Sequence, residues 1–264
     1  MKRFKISALL LSSCLTLGAF SGCSQASVPA AENGSAAKAD MYETIKTVQV
    51  EGAASEISEV MDDGDADAEL EAARQEYANT FVSAFAEQNI SEIDILDLSA
   101  EELMDFVRIH LKMHSTDQIS YEPRGEMLFE TFTLASAHDV ARDYFGLSIS
   151  DAVVNNFSAP PEAHGDQPAG PYYEDNKIWY EAYDVEDFNR FAVVDSFTYN
   201  EDGTLTLGFT VYEAGQDARL ESYYKLTPEE AAADSSLNIV TTGTAEVRVG
   251  QSGAYYLNTY KNDN

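Results

Sequence analysis

The chain has 264 residues, with 46 acidic against 16 basic side chains and a formal net charge of −30. Such a surface repels nucleic acid and anionic headgroups, so a polyanion-binding role is excluded and a cationic partner is not. Hydrophobic residues make up 44% of the chain, enough for one folded domain, while the two cysteines, Cys14 and Cys23, exclude a disulfide framework and a thiolate zinc site.

The first element is a leader. Lys2, Arg3 and Lys5 form a basic start, and Ile6 to Phe20 is an apolar run. At about fifteen residues it matches a signal h-region and falls short of a membrane span. Ser21 and Gly22 then lead into Cys23. This stretch resembles the lipobox of bacterial lipoproteins, in which small residues precede a cysteine that is diacylated and becomes the new N-terminus. The resemblance implies a signal peptide over residues 1–22 and lipidation at Cys23. It also implies a protein held at the cell membrane through its lipid, facing outside the cytoplasm. Two acyl chains give a stable anchor where one binds only marginally. Residues 23–65 are rich in Ala, Ser, Gly, Asp and Glu. They cannot bury enough surface to fold and read as an acidic tether, with a root-mean-square reach of about 35 Å.

From residue 66 onward the pattern is that of a single globular domain. Leu70, Ala73, Tyr77, Phe81, Ala84 and Phe85 recur at three- and four-residue spacing and predict an amphipathic helix of about twenty residues. The preceding acidic run, Asp62 to Glu69, departs from calcium-loop grammar: with Asp63 as position one, Ala68 stands where glycine is required and Arg74 where glutamate is. It reads as an acidic helix start favoured by the dipole. Ser99-Ala100-Glu101-Glu102 fits a capping box and opens a second helix that ends near His114. Met127 to Leu134 reads as a strand, and Ser136 to Asp139 as the cap of a third helix that stops at Gly146. The segments Phe81–Ile90, Glu102–His110 and Ala141–Gly146 resemble a block in uncharacterised lipoproteins of Gram-positive bacteria. That resemblance implies a helical cap joined to a sheet and carries no catalytic residue.

Past Pro160 the chain turns to β pattern, with residues 160–166 as an exposed connection. Phe191, Val193, Phe197 and Tyr199, then Asn200 to Gly203, then Leu205, Leu207, Phe209 and Val211 predict a hairpin. Further strands are predicted at Lys177–Tyr183, Leu220–Leu226, Ile239–Val249 and Ala254–Tyr260, with a short helix opened by Thr227-Pro228-Glu229-Glu230. The predicted fold is α+β, with N-terminal helices packed on a curved antiparallel sheet; an NTF2-like or cystatin-like roll fits that order.

Candidate sites are few. His110 and His114 share one helix face and could share a metal, but Leu111 stands where a zincin needs its glutamate and spacing names no third ligand. They read as a partly buried His110 beside an exposed His114. Ser136, His138 and Asp139 are helix-start neighbours, not a triad. Tyr172, Tyr173, Trp179, Tyr180 and Tyr183 lie among Glu174, Asp175, Glu181 and Asp184, a mixture that suits sugar or cationic ligands and equally suits a plain strand. No cofactor motif, phosphate loop or nucleophile elbow is present. The leading expectation is a non-enzymatic binding or interaction domain for an envelope protein or small extracellular ligand. The alternatives are a glycan- or peptide-acting hydrolase using carboxylates near Trp179, and a structural envelope scaffold.

Overall fold

The computed structural model describes residues 64–149, 151–164, 169–183, 189–216 and 219–263. The lipobox, Cys23 and the tether up to residue 63 lie outside these residues, as does Asp184; Gly64 and Asp65, expected to end the tether, instead begin the first helix. In chain order the elements are α1 (Gly64–Ala86), β1 (Glu92–Asp94), α2 (Ala100–His114), β2 (Ser120–Arg124), β3 (Met127–Thr133), α3 (Leu134–Phe145) and the single turn α4 (Asp151–Val154). Then come β4 (Tyr172–Glu174), β5 (Lys177–Glu181), β6 (Arg190–Tyr199), β7 (Thr204–Glu213), α5 (Pro228–Ala233), β8 (Asn238–Val249) and β9 (Tyr255–Asn262). The fold is α+β, with two antiparallel sheets ordered β1-β9-β8-β7-β6 and β2-β3-β5-β4. Register shifts at Val194/Ser196, Val211/Tyr212 and Glu246/Val247 are bulges that bend the larger sheet.

One core fills the space between the helices and the two sheets. Phe85 stacks on Phe106 and on Tyr260 at ring separations of 5.1 and 5.2 Å, and Tyr260 stacks on Phe209 at 5.0 Å. A second cluster, Phe191, Val193, Tyr212, Tyr224 and Ala231, covers the other face of β6 and β7. Strand β6 is therefore buried on both faces from Phe191 to Val194. Local signals hold where they were strongest. Ser99 with Glu102 and Thr227 with Glu230 form reciprocal capping boxes, and Gly146 ends α3 in the left-handed region at φ 66°.

Three expectations are corrected. Helix α1 is not simply amphipathic: Leu70 is exposed, whereas Asn79, Ser83 and Glu87 are buried with Phe81 and Phe85. Its polar residues run one per turn, from Gln75 to Asn79 to Ser83, against the edge of β6. Gln75 Nε2 donates to Val194 O, Asn79 Oδ1 accepts from Val194 N–H, and Ser83 Oγ accepts from Ala192 N–H. Side chains thus close the edge that another strand would otherwise use. For that reason residues 220–226 are no strand. They form a 3₁₀ turn at Leu220–Ser222 and a loop whose Tyr224 and Leu226 carbonyls accept from Asn79 Nδ2. Finally, α3 begins at Leu134, two residues before the expected cap region, because Thr133 rather than Ser136 caps it, accepting from Ser136 N–H.

Candidate functional site

Between the end of α1 and the first turns of α2 lies a cleft of about 600 Å³. Asn89, at φ 54°, turns the chain out of α1 into β1. Asp94 Oδ1 then accepts from Leu96 N–H and Asp94 O from Asp97 N–H, a tight turn that delivers Ser99 to cap α2. These local devices place Glu92, Asp94, Asp97, Glu102 and Asp105 along the cleft, over apolar side chains that include Ile93, Leu98, Phe106 and Ile109. Among the described residues no Lys, Arg or His lines it.

Some of these carboxylates have structural tasks as well. Glu102 Oε2 accepts from Ser99 N–H at 2.8 Å, and negative charge at this helix start complements the dipole. Asp105 Oδ1 accepts from Tyr180 Oη at 2.8 Å. Burial pushes the Asp105 carboxyl above its ordinary range; the Tyr180 bond and Arg108 charge oppose this, and Glu101 and Glu102 add to it. Glu92 lies 3.6 Å from Lys261, an exposed pairing that contributes little. Asp97 contributes only its backbone to the turn hydrogen bond. Among the described residues no group of three or more His, Cys, Asp or Glu is placed to hold a metal ion, so the carboxylates are spread along the cleft instead of converging on a point.

The five aromatic candidates do not form one site. Tyr172 and Trp179 share the outer face of the smaller sheet with Met127 and Phe129. Trp179 is 7% exposed, and its Nε1 donates to Glu174 O. Arg124 and Lys177 stand over its ring at 5.8 and 5.9 Å, and they pair with Glu174 and Glu122 respectively. The ring therefore already has its cations and offers no open stacking surface. Those partners hold the Glu174 and Glu122 carboxyls below their ordinary range, Arg124 by its hydrogen bond to Glu174 and Lys177 by its hydrogen bond to Glu122. Tyr173 and Tyr180 turn inward to the main core. Tyr183 is exposed and lies 4.0 Å from the buried Arg108 guanidinium, which pairs with Glu130. Only Tyr180 reaches the cleft, through Asp105.

The two histidines sit in a separate cluster, His110 half-buried and His114 exposed. Their rings are 4.8 Å apart, and His114 Nε2 lies 2.7 Å from Glu87 Oε2. Tyr224 Oη donates to the other oxygen of the buried Glu87. Burial, with the His114 charge, takes His110 down to about 3. Burial also opposes His114 protonation, but the bond to Glu87 and its charge outweigh that and raise its pKa.

Nothing matches this chain among protein-family models, curated proteins or solved structures. The cleft therefore stands on its own geometry. The acidic lining was open to sequence reading: Glu92-Ile93-Asp94-Ile95-Leu96-Asp97-Leu98 alternates acids with apolar residues and runs into the acidic start of a capped helix. Its signal is an acid-rich segment with no basic residue from Glu92 to Phe106.

Proposed function

We propose that this is a lipid-anchored, extracytoplasmic lipoprotein whose α+β domain binds a cationic ligand in the cleft beside β1 and performs no catalysis. The observation that carries the binding reading is the cleft itself, with five carboxylates at an apolar floor and, among the described residues, no basic side chain in its lining. Concave sites of about 300–1,000 Å³ that combine apolar side chains with a few polar groups are where small ligands bind. Spread carboxylates suit an elongated organic cation better than a metal ion, which needs oxygens gathered around one point. The hydrolase alternative lacks comparable support: of its carboxylates near Trp179, Glu174 is paired with Arg124 and held low by that hydrogen bond, the reverse of what a general acid requires. The anchor rests on Lys2 to Cys23. Among the described residues no helix is long and apolar enough to cross a membrane.

Two experiments test this reading. Spermidine, added to the full chain, raises the unfolding temperature because it binds the folded state, and Asp94→Asn with Asp97→Asn abolishes the rise. An unchanged unfolding temperature, or a rise that survives in the variant, contradicts the site. Cys23→Ala shifts the protein from membranes to the soluble fraction; equal membrane association in the variant rules out lipid anchoring at this residue.

A further inference from the structure

We infer that the natural cleft ligand is a short extended peptide with alternating basic side chains, which adds as a strand to the free edge of β1. The inference rests on the cleft being a cation site and names the class of cation. Its basis is the contrast between the two edges of the larger sheet. The β6 edge is closed by Gln75, Asn79 and Ser83. Among the described residues no side-chain hydrogen bond closes the outer edge of β1 in this way.

Register shows which groups are free. Asn262 N–H donates to Ser91 O, and Ile95 N–H donates to Asn258 O. With Ile93 opposite Tyr260, the residues whose backbone turns toward β9 are therefore Ser91, Ile93 and Ile95. The alternate residues, Glu92 and Asp94, turn their N–H groups away from the sheet. Both residues line the cleft. An extended chain laid along this edge gains backbone hydrogen bonds, and its side chains opposite Glu92 and Asp94 share their face. Lysine or arginine at those alternate places meets carboxylates, and an apolar residue between them lies opposite Ile93. A ligand of this kind uses the backbone edge, the charge and the apolar floor together, whereas a simple polyamine uses only charge.

The test is calorimetric titration of the full chain with acetyl-Lys-Val-Lys-Val-Lys-Val-amide, with spermidine, and with two peptide isomers N-methylated at either alternate set of amides. Strand addition predicts that one isomer binds at least tenfold more weakly than the unmethylated peptide while the other keeps its affinity. It also predicts that amide exchange at Glu92 and Asp94 slows on binding. If both isomers bind like the parent, or the amides stay unprotected, strand addition is overturned although the cation site stands. If neither spermidine nor any peptide binds, the cation site falls and this inference with it.

Discussion

Replacing Asn79 with alanine removes the central link between α1 and the β6 edge. The side chain is fully buried. It accepts from Val194 N–H at 2.7 Å and donates to Tyr224 O at 2.9 Å and Leu226 O at 3.0 Å. Alanine leaves one buried donor and two carbonyls without these partners. A buried orphan costs about 1–3 kcal/mol, and carbonyls are less costly because each has a second lone pair. The expected loss is about 3–5 kcal/mol, which lowers a urea midpoint by roughly 1–2 M for a protein of this size. Trp179 is the sole tryptophan, so its fluorescence reports the transition. Thr80→Ala, on the exposed side of the same helix, serves as control and stays within about 0.5 kcal/mol. A loss below about 1 kcal/mol for Asn79→Ala refutes the claim that these bonds close the sheet edge.

The two histidines move acid stability in opposite directions. Between the unfolded value of about 6.5 and the folded value of about 3, only the unfolded chain protonates position 110, withdrawing about 1.4 kcal/mol per pH unit; His110→Leu removes that loss in urea melts at pH 5 and 7. His114 has a raised folded pKa, so its contribution is complete below 6.5 and disappears as pH rises through the folded value; His114→Gln flattens the alkaline limb. Glu130→Ala leaves the buried Arg108 charge without its carboxylate and costs about 3–5 kcal/mol by the same melts, whereas replacing both residues with leucine or methionine costs much less. If Glu130→Ala melts like the parent, the pair has no structural role.

What the sequence revealed was what neighbours along the chain decide. Ser99 with Glu102, Thr227 with Glu230, Gly146 and the Asn200–Gly203 turn act within a few residues of themselves, and the structure keeps all four. What it concealed depends on distant partners. The burial of Asn79 follows from Val194, which is 115 positions away, and residues 220–226 give up strand form because their carbonyls face that same asparagine. The opposite facing of Trp179 and Tyr180, by contrast, was legible in the period of two along β5. The cleft lies between these cases. Its acids are close in sequence, yet only the turn at Asp94–Asp97 and the cap at Ser99 fold them around an apolar floor.

The central claim is that the cleft beside β1 binds cations. Calorimetric titration of the full chain with spermidine, repeated for Asp94→Asn with Asp97→Asn and at higher salt, addresses it most directly. The account predicts saturable binding that is lost in the variant and weakens as salt screens the exposed carboxylates. Absence of binding at low salt, or equal affinity in parent and variant, would contradict it.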